Sequence, residues 1–145
     1  MTPTRLISTK LIVEDLEATK DFYCGAYGFV ECGRIQAEML DEPIDEILLG
    51  QEDAPGVPLM LMRYVERGRP PIGEEVALVF STDDLEALFE RVRSHGGRVL
   101  VEPFESEHAP TRAGFTADPE GHVIENIELS PTPSGDASDN ETESP

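Results

Sequence analysis

The sequence has few cysteines and no long apolar run. Cys24 and Cys32 are the only two cysteines, which is too few for a disulfide framework. No apolar stretch is long enough to span a membrane, and the first ten residues, MTPTRLISTK, lack the charged-then-apolar order of a signal peptide. We therefore expect a cytoplasmic protein with no membrane partner.

Basic residues are also scarce: the chain has 11 Lys and Arg against 30 Asp and Glu, a formal charge of −19. Residues 130–145 are rich in Ser, Pro and Thr, and we expect them to form an acidic disordered tail. Removing the four acids of this tail leaves 26 against 11. An acidic folded part argues against nucleic acid as a partner and favours a cationic small molecule over an anionic one.

Two helices are indicated by capping residues and apolar spacing. Asp15 can cap a helix from Leu16 to about Tyr27, which Gly28 would end. Asp83 is expected to cap a second helix, with Glu86 completing a capping box. Its apolar residues follow the i, i+3, i+4, i+7 spacing of a helix that packs on one side: Leu85, Leu88, Phe89 and Val92.

Eight strand-like segments flank these helices, with turn signals expected at Pro43 and at residues 53–56. The predicted strands are 5–13, 29–39, 44–50, 57–65, 76–82, 98–104, 115–117 and 122–129.

The second half of the chain repeats the first. The segment EDLEA at 14–18 matches DDLEA at 83–87, an offset of 69, and Gly28 and Val30 fall on Gly97 and Val99. Matching starts, ends and following strands indicate an internal repeat. We predict an α+β fold with βαβββ modules at 4–66 and 74–129, joined by a linker at 67–73. Paired modules would form a curled mixed sheet around a central cleft, which is a natural small-molecule site.

The last predicted strand carries a carboxylate among apolar residues. The turn Asp118-Pro119-Glu120-Gly121 precedes it, and alternation puts Val123, Glu125 and Ile127 on one face. A half-buried Glu needs a partner or a function. The alternative is an edge-strand Glu that reaches solvent.

Two segments carry a family resemblance: LIVEDLEATKDFYCGAYGFVE after the first strand and FTADPEGHVIENIE near the end. Over residues 5–129 the chain resembles the vicinal-oxygen-chelate superfamily, which includes glyoxalases, bleomycin- and fosfomycin-resistance proteins and extradiol dioxygenases. The resemblance implies a divalent-metal position in the cleft, with one ligand from the first and one from the last strand of each module. These positions fall on Ser8, Leu61, Ala77 and Glu125.

Only Glu125 offers a good metal donor among these four, because Leu61 and Ala77 have none and a Ser hydroxyl is a poor ligand. We therefore expect no metal and no other cofactor. His108 is the alternative source of a replacement ligand.

The predicted cleft is mostly apolar with a few polar residues. Glu125 is the candidate catalytic residue, and an ion pair between Arg63 and Glu125 is its structural alternative. The predicted ligand-binding residues are Ser8, Lys10, Leu61, Arg63, Ala77, Val79, Arg112 and Glu125.

The resemblance leaves two functions open. The first is metal-independent binding of a small organic ligand between the modules, as in bleomycin-resistance proteins. The alternative is an enzyme, namely a glyoxalase-like lyase, an isomerase or epimerase, or a dioxygenase-type enzyme, with Glu125 as general base or metal ligand. A homodimer is favoured over a monomer, from the resemblance and because short open sheets need covering.

Overall fold

The computed structural model describes residues 6–71, 76–107 and 111–129. The expected tail, part of the linker and His108 lie outside the described residues. The first module contains β1 Thr9–Ile12, α1 Leu16–Tyr27, β2 Val30–Met39, β3 Glu42–Gln51 and β4 Ala54–Tyr64. The second contains β5 Leu78–Thr82, α2 Leu85–Ser94, β6 Arg98–Glu105, β7 Arg112–Ala117 and β8 Val123–Glu128.

Each module forms one four-stranded mixed sheet, with the orders β1-β4-β3-β2 and β5-β8-β7-β6. The first and last strands of each module pair in parallel, and the remaining pairs are antiparallel. The prediction of an α+β fold with two βαβββ modules is confirmed.

Local chemistry sets most element ends, with three corrections. Asp15 caps α1 and Gly28 ends it in the left-handed conformation, as predicted, but α2 is capped by Asp84 rather than by Asp83. The β2–β3 turn is made by Leu40 and Asp41, whose φ values are 51° and 67°. Pro43 lies inside β3, so the predicted break there is wrong. The predicted turn at 53–56 is misplaced, because Ala54 already begins β4.

The two modules share one hydrophobic core. Helices α1 and α2 lie against each other, and residues from both sheets pack around them. The predicted helix stripes are buried, although Leu16 is only partly so. The largest fully buried side chains of this core are Tyr23, Phe22, Phe89, Ile47, Leu49, Leu61, Leu85 and Ile124.

Polar contacts also join the modules. The Tyr27 hydroxyl donates to Asn126 Oδ1 and lies 2.9 Å from the Thr116 hydroxyl, so α1 of the first module reaches the sheet of the second. Burial raises the pKa of Tyr27 to about 12. The Glu120 carboxylate accepts hydrogen bonds from the backbone N–H groups of Glu14 and Asp15 just before α1. Both ends of α1 are therefore hydrogen-bonded to the second module.

Neither helix in the described part of the chain is long and apolar enough to cross a membrane.

Candidate functional site

Glu125 lies on the face of its sheet that points away from the shared core. Its neighbours in sequence, Ile124 and Asn126, are fully buried on the helix side, so strand alternation turns Glu125 the other way. Across the sheet it pairs with Val79 of β5 and Phe115 of β7. Among the described residues, no cation lies within ion-pair distance of Glu125. The carboxylate is half-buried and has no protein counter-charge there.

The face around Glu125 is apolar and open, and we call it the Glu125 face. Val79 keeps 58% of its surface exposed and Val101 45%. The Phe104 and Phe115 rings are stacked with centroids 6.3 Å apart. Strand pairing also places Ser81, Ala113, Ala117, Val123 and Ile127 on this face, and of these only Ser81 is polar.

The corresponding face of the first sheet carries an ion pair. Lys10 Nζ lies 2.6 Å from Glu46 Oε2, and the Glu46 side chain is almost fully buried. Lys10 on β1 neighbours Met60 on β4, which in turn neighbours Leu48 on β3. The positive charge of Lys10 is thus already balanced within the chain.

The internal repeat identifies the position equivalent to Glu125 in the first module. Val79 pairs with Glu125, and its repeat partner at the offset of 69, Lys10, pairs with Met60. The equivalent residue is therefore Met60, and the choice of Leu61 was wrong by one residue. Leu61 is fully buried in the helix-side core, so it cannot line the opposite face.

The four metal positions that the resemblance implies hold a hydroxyl (Ser8), a thioether (Met60), a methyl group (Ala77) and one carboxylate (Glu125). Divalent metals in such sites are held by imidazole, thiolate or several hard oxygen donors. The Ser8 hydroxyl is buried and has no hydrogen-bond partner in the described structure, but it is a weak neutral donor. This donor set does not fit a divalent metal.

Two predicted ligand-binding arginines lie elsewhere. Arg63 is on the helix side of β4 and binds Asp45 at 2.8 Å, so the proposed pairing of Arg63 with Glu125 is wrong. Arg112 binds Glu86 and Glu128 beside the start of α2. Both guanidinium groups therefore have carboxylate partners away from the Glu125 face.

Two cavities lie along the junction between the modules. Ala77 and Val79 line one of about 440 Å³, which also touches Thr9 and Ser81. Lys10 lines the other, of about 210 Å³, together with His122. Glu125 lines neither of these two cavities. The structure thus separates the predicted site residues into an open face around Glu125 and two recesses beside it.

The turn before β8 contains a polar group whose importance the sequence alone did not reveal. The buried Asp118 carboxylate accepts from the Tyr23 hydroxyl at 2.9 Å and lies 2.8 Å from His122 Nδ1. It also accepts the backbone N–H groups of Glu120 and His122. Burial opposes ionisation, but the hydrogen bonds and electrostatic attraction of His122, together with the hydrogen bond from Tyr23, outweigh it and lower the pKa of Asp118. The local Asp-x-x-x-His spacing was visible in the sequence; the contact from Tyr23, 95 residues away, was not.

Known proteins of similar sequence are named as lyases. The chain is 30% identical over 129 residues to lactoylglutathione lyase of Neisseria meningitidis, covering 86% of this chain and 90% of that protein. It is 27% identical over 131 residues to a probable lactoylglutathione lyase of Synechocystis, covering 86% and 95%.

Solved structures with the same fold include glyoxalases. A glyoxalase I mutant from Zea mays has a TM-score of 0.71 at 25% identity, covering 89% of this chain. The present chain spans only 46% of that maize chain. A glyoxalase family protein from Bacillus cereus has a TM-score of 0.72 at 18% identity, covering 90% of this chain and 97% of that one. The Glyoxalase/Bleomycin resistance protein/Dioxygenase superfamily matches residues 5–126, and the chain belongs to that superfamily.

Proposed function

We propose that the protein binds a small organic cation on the Glu125 face without a metal ion. The observation that carries this proposal is a half-buried carboxylate, without a described cationic partner, at the centre of an apolar surface. A desolvated charge is costly unless it is paired. A ligand with a positive group and an apolar body satisfies both parts of this surface.

The other charges near the proposed site support a cation over an anion. Lys10 is neutralised by Glu46, and Arg63 and Arg112 are neutralised by their own carboxylates. No free cationic group in the described structure is therefore offered to an anion on this face. The net charge of −19 adds a long-range attraction for cations. Ser8, Lys10, Ala77 and Val79 are the proposed boundary of the site beside Glu125.

Replacing Glu125 by Gln tests this proposal with benzyltrimethylammonium as the probe. The substitution keeps the shape and removes the charge, so the binding free energy should weaken by about 1–3 kcal/mol, the scale of a hydrogen bond or contact to a charged group. Calorimetric titration measures the change. The free energy of unfolding should change little because Glu125 has no described partner to lose.

A matched control shows whether weaker binding results from the loss of a local contact or from the change in net charge. Glu38→Gln removes the same unit of charge from an exposed residue of β2 and should leave the dissociation constant nearly unchanged. If Glu125→Gln binds the probe normally and instead destabilises the fold strongly, Glu125 is a structural residue and the proposal is wrong.

We also expect the purified protein to hold no stoichiometric divalent metal, because the donor set of Ser8, Met60, Ala77 and Glu125 does not fit one. Elemental analysis after exhaustive dialysis, without added chelator, measures this. Stoichiometric zinc, nickel or iron that disappears in Glu125→Ala would contradict the expectation and would direct attention to His108.

A second candidate function is a lyase, an activity suggested by the names of the two sequence relatives. Glu125 would act as the general base or metal ligand, since an isolated carboxylate in apolar surroundings suits proton abstraction. Incubation with lactoylglutathione, with and without added nickel or zinc, tests this candidate. Turnover that is lost in Glu125→Gln would favour it over simple binding.

A homodimer would cover the Glu125 face. Large apolar side chains are exposed on it, and such surfaces commonly mark interfaces. Light scattering at micromolar concentration should give the mass of two chains. Phe104→Glu, on this face, should shift the mass toward one chain, whereas Leu40→Glu in the exposed β2–β3 turn should not. A single-chain mass for the unmodified protein would refute the dimer.

A further inference from the structure

The smaller of the two cavities at the module junction presents a histidine that the Glu125 site does not use. We call it the junction cavity; it measures about 210 Å³ and is lined by Lys10, Ile12, Pro70, Pro71, His122 and Val123, among others. Its volume is below the roughly 300–1,000 Å³ of sites for drug-sized ligands. A molecule of one ring or a short chain is the size of occupant it can take.

The hydrogen bonds of His122 fix which ring nitrogen remains available. Nδ1 lies 2.8 Å from Asp118 Oδ2, and that carboxylate accepts three further hydrogen bonds, from Tyr23 and two backbone N–H groups. An ionised carboxylate can only accept, so Nδ1 carries the proton and Nε2 keeps its lone pair in the neutral ring. No hydrogen bond to Nε2 is made by the described residues, and the His122 side chain is only 15% exposed.

The charges around the junction cavity are already balanced. Lys10 binds Glu46 at 2.6 Å, and Arg69 lies 3.2 Å from the Glu120 carboxylate. Arg69 also donates to the Glu120 carbonyl oxygen. Among the residues that line the cavity, His122 carries a ring nitrogen, Nε2, to which no described residue is hydrogen-bonded, and the other walls are mostly apolar.

We propose that the junction cavity is a second binding site, which takes a small neutral molecule carrying a hydroxyl group. The ligand O–H donates to His122 Nε2, and the apolar body lies against Ile12, Pro70 and Val123. Asp118 is a positioning residue here, because it holds the imidazole by Nδ1 and touches no ligand. The site does not depend on the proposed function of Glu125.

Phenol and toluene are matched probes, since they share a ring and differ in the hydroxyl. We expect phenol to bind the full chain more tightly than toluene in calorimetric titrations. Phenol should also shift the ¹⁵N resonance of His122 Nε2, which a ligand bound elsewhere would leave unmoved.

His122→Asn removes the acceptor while keeping the turn. An Asn side-chain N–H can replace Nδ1–H as donor to Asp118, but it has no counterpart of Nε2. Phenol binding should weaken about three- to tenfold, the range for one hydrogen bond, and toluene binding should be retained. Val123→Phe fills the cavity and should abolish binding of both probes, whereas Glu125→Gln should leave phenol binding unchanged.

The proposal is overturned if phenol does not bind at millimolar concentration, if it binds His122→Asn as tightly as the natural sequence, or if Val123→Phe has no effect. Loss of phenol binding in Glu125→Gln would also overturn it, by placing the molecule on the Glu125 face. Because the Glu125 face is tested with benzyltrimethylammonium and the junction cavity with phenol, each site can fail without the other.

Discussion

Replacing Asp118 by Ala is expected to lower the free energy of unfolding by about 3–5 kcal/mol, the range for removing one partner from a buried charged network. Asp118 is fully buried and accepts four hydrogen bonds. Its removal leaves the Tyr23 hydroxyl without an acceptor in the core. Because Tyr23 belongs to α1 and Asp118 precedes β8, the loss also removes one of the polar contacts between the two modules. Urea denaturation followed by circular dichroism measures the change in the free energy of unfolding.

Two variants show whether the effect belongs to this network. Asp83→Ala alters an exposed residue that does not cap α2 and should change stability by less than about 0.5 kcal/mol. Tyr23→Phe removes one hydrogen bond to a charged group and should cost about 1.5–3 kcal/mol. An Asp118→Ala variant as stable as Asp83→Ala would mean that the buried carboxylate does not join the modules.

The free energy of unfolding of the natural sequence should exceed that of Asp118→Ala by an amount that depends on pH. The folded-state pKa of Asp118 is lowered from its ordinary value of 3.8. An acid whose pKa is lower in the folded state stabilises the fold at pH values above its unfolded-state pKa. This stabilisation is lost as the pH falls through the folded-state pKa. The difference in the free energy of unfolding between the natural sequence and Asp118→Ala should therefore be constant near neutral pH and decrease below about pH 4.

Leu88→Ala is expected to destabilise the fold by about 2–5 kcal/mol, the cost of removing a buried Leu and leaving a cavity. Leu88 is 2% exposed in the core that both helices share. Since that core belongs to both modules, we expect one cooperative unfolding transition at lower denaturant concentration. Leu100→Ala, at a position of β6 that is 45% exposed, is the matched control and should cost far less. A second transition in Leu88→Ala would show that the modules unfold independently.

The face of the sheet on which Glu125 lies was predicted correctly from the sequence because β8 alternates clearly. Ile124 and Asn126 face the helices, and the turn at Asp118 fixes where the strand begins. A one-residue shift would have put a charge into the core, so only one register is compatible with the pattern.

The sequence of strand β4 does not show which of its residues face the helices. Leu59, Met60, Leu61 and Met62 are all apolar, and three of the four are buried. An unbroken apolar run does not show which residues face which side. The parallel pairing with β1 was needed to show that Met60, and not Leu61, is equivalent to Glu125.

The arginines were misplaced for a different reason. Arg63 and Arg112 were assigned to the cleft without knowledge of their carboxylate partners. Those partners come from other strands and from α2: Asp45 for Arg63, and Glu86 and Glu128 for Arg112. A sequence with 30 acidic residues offers many possible partners for each arginine, and only the folded chain selects among them.

The sequence by itself determined most of the elements and the two βαβββ modules, because caps, turns and periodicity act locally or repeat at a fixed offset. The tertiary structure alone decided that the modules share a helix-side core and that Glu125 faces away from it. It also joined Tyr23, Asp118 and His122 into the network beside the junction cavity. These features depend on contacts between residues far apart in the chain, and such contacts leave no periodic signal in the sequence.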